Sequence, residues 1–431
     1  MNSHQRIRDR LTDWRNRWSR RRNKATFIGV TGSSGKTTCA ELLTGILEAH
    51  GPVISQIKDN TVTAISKKIR RCPQDAAFAV FEAGVGQKGQ MEPMARLIQP
   101  TVAVVTMVGL EHYHFFRNKE AIALEKGALV EAIRPDGLAI LNADDPYVMS
   151  MAERTTARIV TFGREAEADY RVVSASAAYP DCLLLVINCR GTERTFQTRF
   201  AGDQFWLSCV AAIAVAMELG VPIDIIQKQV SKFEGSKFRF QPLATSGPTF
   251  ILDTIKAPVG TLALAFSAFE DCNFPHKRIV LGPLSDYSGT SKTKYRDAYR
   301  AARAVADQVI VVDRHLHRYE DVVADLASGK LIEFETPEQV NQFIRETFRK
   351  DEIILLKGSG NLHLERIALS WEIDINCWEP KCGRGVDCLR CSFNRYPFDT
   401  HKQVERERKQ RQGLTLLKPR NRTIDRTETK L

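Results

Sequence analysis

The stretch TFIGVTGSSGKTTCAELLTGILE, Thr26–Glu48, decides the fold. Apolar and β-branched residues bring the chain as a strand into a glycine loop. The loop opens an amphipathic helix that ends at Gly51. Through Gly32, Ser33, Ser34, Gly35, Lys36, Thr37 and Thr38, backbone N–H groups can turn inward around a phosphate. They do so at a helix N-terminus, whose dipole favours negative charge. Lys36 can reach the outer phosphates of a nucleotide, and Thr37 can hold Mg²⁺. Strict Walker spacing would want glycine where Val30 stands, so this is a variant P-loop.

Working outward, DAAFAVFEAG, TVAVVTMVG and GLAILNADDP read as strands separated by helical runs. This βαβ rhythm predicts a doubly wound parallel sheet. Residues 156–200 change character and predict short antiparallel strands, followed by the apolar helix FWLSCVAAIAVAMELG. A second strand–helix alternation begins near residue 240 and ends at DEIILLKGSG. The expected fold class is therefore α/β: a P-loop doubly wound parallel sheet, a smaller Rossmann-like α/β domain, then a four-cysteine knuckle. The expected boundaries are 1–24 (basic segment), 25–238 (ATP-binding domain), 239–375 (second domain), 376–396 (knuckle) and 397–431 (basic, disordered tail). A chain of 431 residues suits this number of units at roughly 150 residues per domain.

The net charge of +11 sits in the ends. Residues 1–24 carry +7 and residues 401–431 carry +6, which leaves −2 on the body. These ends read as solvated segments. Leu11, Trp14 and Trp18 at helical spacing leave open a weak contact with an anionic membrane surface. No specific nucleic-acid partner is expected. No run approaches ~20 apolar residues, and the N-terminus has no apolar core of a secretory signal, so a cytoplasmic protein is expected.

The variant loop is followed, in order, by FEAGVGQKGQM (81–91), VTMVGLEHYHFF (105–116), EAIALEKGALVEAI (120–133), LNADDP (141–146), ILDTIKAPVG (251–260) and LLKGSGNLHLERI (355–367). Together these seven motifs resemble the Mur ligase family over about residues 25–372, and most closely its D-alanyl-D-alanine-adding branch. The resemblance implies an ATP-dependent carboxylate–amine ligase that works through an acyl phosphate. It makes Glu82 a Mg²⁺ ligand, His112 a metal ligand with His114 as decoy, and Lys126 a carbamylated lysine beside the metal. It places Asp253 and Lys256 in the loop that closes over the nucleotide. The implied catalytic set is Lys36, Glu82, His112 and Lys126. Small-molecule carboxylate and amine substrates are the expected partners.

Several stretches depart from the family pattern. Its adenine-side G-x-H-N-x-x-N becomes Gly202-Asp203-Gln204-Phe205-Trp206-Leu207-Ser208, which loses the histidine and the final asparagine. Its TN is Thr106-Met107, and its D-x-Y-N-A-N-P loop is one residue shorter as Asp253–Pro258. Only about 24 residues precede the first strand, where the peptidoglycan ligases carry a UDP-sugar domain of roughly domain size. The expectation is a different acceptor, or one presented by a partner subunit. Alternative readings are a true UDP-N-acetylmuramoyl-tripeptide–D-alanyl-D-alanine ligase, and a non-catalytic nucleotide-binding scaffold.

Six cysteines are scattered and read as small buried apolar residues. The other four, Cys377-x4-Cys382-x5-Cys388-x2-Cys391, fall within 15 residues, with Gly383 and Gly385 to turn the chain. Four thiolates at this spacing suit structural Zn²⁺. A redox pair, disulfides, an iron–sulfur cluster or unliganded thiols use the same residues.

Overall fold

The computed structural model describes residues 15, 18–111, 115–313, 316, 320–384 and 386–416. A nine-stranded sheet runs in the order β2-β3-β1-β4-β5-β6-β7-β8-β9. Its strands are β1 (Thr26–Thr31), β2 (Val53–Gln56), β3 (Phe78–Glu82), β4 (Val102–Val105), β5 (Leu138–Asn142), β6 (Arg158–Gly163), β7 (Tyr170–Ala178), β8 (Asp181–Cys189) and β9 (Thr192–Gln197). Every pairing from β2 to β7 is parallel, whereas β7-β8-β9 is an antiparallel meander. The expectation of antiparallel strands over 156–200 is thus corrected at β6. Two short helical turns, Pro146–Met149 and Ala152–Arg154, carry the chain back after β5, so β6 enters parallel to it.

β1 lies between β3 and β4, so the ends of all three strands surround the loop that follows β1. That loop opens helix α1 (Lys36–Glu48). Cys39, Leu42, Leu43, Ile46 and Leu47 recur at helical spacing and are all buried. Each large apolar side chain there contributes about 1.5–3 kcal/mol by burial. The apolar helix expected from the sequence is Trp206–Glu218, buried throughout Ser208–Ala216, and it shares a core with α1 and the sheet.

The second sheet has the order β10-β11-β15-β12-β13-β14 and is parallel except at its β10 edge. Its strands are β10 (Gln241–Ala244), β11 (Thr249–Asp253), β12 (His276–Leu281), β13 (Gln308–Val312), β14 (Leu331–Phe334) and β15 (Glu352–Lys357). At the start of β12 and β15, Arg278 forms a buried two-point ion pair with Glu352, and its Nη2 also donates to the Thr347 carbonyl at 2.8 Å.

Both ends of the chain depart from the expected solvated tails. Arg20 is buried, lies 3.7 Å over the Phe27 ring and donates to the carbonyls of Ile98 and Gln99. The tail expected to be disordered forms a helix over His401–Leu416. Its Arg408 donates to the Ser392 carbonyl at 2.9 Å and stacks on Phe393. Leu11, Trp14 and residues 417–431 lie outside the described residues. Among the described residues no helix is long and apolar enough to cross a membrane.

Breaking the Arg278–Glu352 pair leaves a buried charge unmatched. Glu352→Ala is expected to lower unfolding free energy by about 3–5 kcal/mol in urea titration. Removing the exposed Glu92–Arg96 pair should change it by less than about 1 kcal/mol.

Candidate active site

The phosphate loop is shaped by close approach of backbone. Gly32 has φ +141°, and a Cβ there would stand 1.9 Å from Thr106 Oγ1. Gly35 has φ +80° and is the residue on which helix α1 starts. The Ser33 amide donates to the Met107 carbonyl at 2.7 Å, and the Ser33 hydroxyl donates to Gly109 at 3.0 Å. The LNADDP stretch supports this arrangement from behind. Asn142 donates to the Thr106 carbonyl at 2.8 Å, and the Asp145 carboxylate accepts the Val108 amide at 2.7 Å.

Thr37 and Glu82 come together across the loop. The Thr37 hydroxyl donates to Glu82 Oε1 at 2.9 Å, and the buried Glu82 also accepts the Lys58 amide at 2.9 Å. A hydroxyl and a buried carboxylate beside a phosphate loop are hard oxygen donors, which fit Mg²⁺. Arg239 reaches the same place, with Nη2 at 3.4 Å from Thr37 Oγ1. The sequence reading did not single out Arg239, because it lies in the linker between the two sheets, outside every quoted motif.

Lys126 is fully buried on the helix Lys119–Glu131. Its amine pairs with Glu111 Oε1 at 2.7 Å and donates to the Gly32 carbonyl at 3.1 Å. Glu111 was read only as part of a motif, and the fold makes it the lysine's counter-charge. His112 and His114 lie outside the described residues.

The second sheet contributes the far wall. Asp253 and Lys357 end the adjacent parallel strands β11 and β15 in register, and Lys357 Nζ meets Asp253 Oδ2 at 2.6 Å. Lys357 Nζ also donates to the Lys256 carbonyl at 3.0 Å, while the Lys256 side chain faces the cleft. Lys357 stood in a quoted motif but was not chosen as a site residue. The cleft between the walls has a volume of about 910 Å³ and is lined by Ser33–Thr38, Glu82, Arg239, Asp253, Lys256 and Lys357. Phe233, Phe238 and Phe240 add apolar surface.

The four clustered cysteines are all free, and Cys377, Cys382 and Cys388 lie around Arg366. Arg366 is buried and donates from Nε to Cys388 Sγ at 3.0 Å and from Nη2 to Cys382 Sγ at 3.7 Å. His363 stands 3.5 Å from both sulfurs. Among the described residues, the donor atoms drawn within 4.8 Å of one another are those of His363, Glu365 and Cys388, rather than the four thiols. Burial and Glu365 push the Cys388 thiol up to about 12.

Two family models match the chain: "Mur ligase middle domain" over residues 30–216 and "Mur ligase, glutamate ligase domain" over residues 238–360. The UDP-N-acetylmuramoyl-tripeptide–D-alanyl-D-alanine ligase of Bacillus subtilis (strain 168) is 26% identical over 351 residues, covering 79% of this chain and 74% of that protein. The UDP-N-acetylmuramate–L-alanine ligase of Nitrosomonas europaea is 26% identical over 360 residues, covering 78% and 73%. The MurF ligase of Thermotoga maritima, solved in complex with ADP, shares the fold with a TM-score of 0.72 at 22% identity, covering 84% of this chain and 83% of that one.

Burial, with the Lys126 charge nearby, lowers the Lys36 ammonium from 10.5 to about 8. In nucleotide-free and magnesium-free solution, holding that charge costs stability in full below about pH 8. The cost fades as pH rises toward 10.5, because the folded protein gives up the proton first. Urea titrations should therefore show stability rising across that window in the wild type and not in Lys36→Met. At pH 7 the variant should be more stable by about 1–3 kcal/mol and should lose nucleotide binding.

Proposed function

The chain belongs to the Mur ligase family, whose members are ATP-dependent amide-bond-forming ligases, and we propose that it joins a carboxylate to an amine through an acyl phosphate. One observation carries the reading. The phosphate loop, the Thr37–Glu82 pair and Arg239 face Asp253, Lys256 and Lys357 across a single cleft. Residues 25–238 act as the nucleotide-binding domain, and residues 239–375 act as the domain that closes on it.

In this mechanism the loop amides and the N-terminus of α1 hold the nucleotide phosphates, with Lys36 against the outer two. Thr37 and Glu82 would hold one magnesium, and His112 would hold a second together with Lys126, whose amine, paired with Glu111 here, would give up that pair on carbamylation. Bound there, magnesium neutralises phosphate charge. A substrate carboxylate oxygen attacks the γ-phosphorus, the bond to the β-phosphate oxygen breaks, and ADP leaves. The amine nitrogen then attacks the acyl carbon, the carbon–oxygen bond to phosphate breaks, and the nitrogen loses a proton. Arg239 places positive charge beside the transferring phosphoryl group. Closure of the two walls excludes water, which would otherwise hydrolyse the acyl phosphate.

A second reading makes the chain a UDP-N-acetylmuramoyl-tripeptide–D-alanyl-D-alanine ligase in peptidoglycan synthesis, and it is favoured by the names of the Bacillus subtilis and Mycobacterium leprae relatives. A scaffold would have no use for a carbamylated lysine at position 126, which sets the ligase reading apart from it. Structural zinc on Cys377, Cys382, Cys388 and Cys391 is part of the proposal. The N–H···S bonds from Arg366 support it, because they match the needs of metal-bound thiolates.

Phosphate release from Mg-ATP, run with UDP-N-acetylmuramoyl peptides against D-alanyl-D-alanine and single amino acids, tests the ligase. Amine-dependent ADP formation with a new amide in the mass spectrum is expected. Lys126→Ala should lower turnover by at least about 100-fold, with ADP binding to the variant measured beside it to separate lost chemistry from a displaced phosphate loop. Nucleotide binding without turnover in every mixture would favour the scaffold. Metal analysis of the purified protein should find one zinc per chain, lost in Cys382→Ser/Cys391→Ser. Zinc-free protein with four freely titrating thiols would remove the zinc from the proposal.

A further inference from the structure

Part of the cleft wall is built by residues that neither family model matches. Asp387 and Arg390 line the cleft, yet they belong to the cysteine knuckle, beyond the last matched residue, 360. The knuckle is therefore more than a clasp on the end of the second domain.

Its position is tied to the catalytic side of that domain. Lys357 ends β15, and after a short loop the chain forms the helix Glu365–Leu369. Two consecutive residues of this helix grip the knuckle. Glu365 accepts the Cys388 amide at 3.4 Å. Arg366 donates to the Cys388 sulfur at 3.0 Å and to the Glu379 carbonyl at 2.7 Å. Asn394 closes the far side by donating to the Cys388 carbonyl at 3.0 Å. Lys357 and Arg390 thus hang from the two ends of one buried connection.

Arg390 is poised within that frame. The nearly buried Asp387 carboxylate accepts the Arg390 amide at 3.0 Å and the Arg390 Nε at 2.6 Å, and it meets Nη2 at 2.6 Å. One edge of the guanidinium is therefore pinned, although the side chain is 69% exposed. The Nη1 edge meets no other residue among those described. A planar fork with one edge fixed and the other open is pre-organised for a carboxylate, and ordering it on binding costs little entropy. The phosphate-loop end of the cleft is taken by the nucleotide and by the carboxylate that attacks it. The amine has to enter the remainder of the cleft, which Arg390 helps to line.

Building on the ligase reading above, we propose that Arg390, oriented by Asp387, binds a carboxylate on the amine-bearing substrate. The cysteine knuckle is then a specificity element of the active site, selecting among amines by that carboxylate. Arg390 positions the amine and takes no part in bond making.

The test compares KM and kcat for D-alanyl-D-alanine and L-alanine, each beside its carboxamide, with Mg-ATP and UDP-N-acetylmuramoyl peptides as carboxylate donors. Wild type, Arg390→Ala, Arg390→Lys and Asp387→Asn are compared, with ADP binding to each as the check on folding. In Arg390→Ala, KM for the acid should rise by about tenfold or more, with kcat within about threefold. KM for the carboxamide should not move, and Arg390→Lys should recover part of the loss. A change below about fivefold in a variant that still binds ADP, while the wild type turns over, would overturn the assignment and leave the ligase reading standing. No wild-type turnover with any of these amines would overturn the ligase reading itself, and the assignment of Arg390 with it.

Discussion

A lysine amine with no solvent exposure sits 2.7 Å from the Glu111 carboxylate and 3.1 Å from the Gly32 carbonyl. The three groups come from a helix, from the loop after β4 and from the phosphate loop. Burying one ammonium is expensive unless it is paired, so these segments cannot separate without exposing an unmatched charge. The arrangement holds because Gly32 has no side chain, and the space a Cβ would take is occupied by Thr106. The phosphate loop is thus held in place from behind, before any nucleotide arrives.

The second wall follows a similar logic with less burial. Parallel register brings Asp253 and Lys357 side by side at the carboxyl ends of β11 and β15. Their ion pair fixes the start of the loop that carries Lys256. Ligands of open α/β sheets bind beyond the carboxyl ends of the strands. In this chain two such edges face one cleft, and Arg239 in the connection between the sheets reaches the Thr37 hydroxyl. Charge neutralisation from one wall and substrate alignment from the other suit a reaction that joins two separately bound molecules.

The knuckle adds a third element to the cleft. Its Cys382 and Cys388 thiols accept from a buried arginine, while its exposed face presents Arg390 toward the cleft. The helix His401–Leu416 leans on it through Arg408 and Phe393. Residues 398–416 look too polar to order themselves, and their helical turns dock onto the knuckle instead.

The amino-acid sequence alone determined the α/β class and the phosphate loop, through the strand–glycine–helix spacing, whereas Glu82, Lys126, Asp253 and Lys256 were marked only by the resemblance to the Mur ligase family. Tertiary structure alone decided that Glu111 pairs with Lys126, that Arg239 reaches Thr37, and that β6 runs parallel. It also decided that Arg366 sits among the cysteines and that Arg390 faces the cleft. Each of these depends on which distant segments the packed core brings within about 3–4 Å of one another, the range in which hydrogen bonds and ion pairs act. Sequence spacing carries no record of that distance.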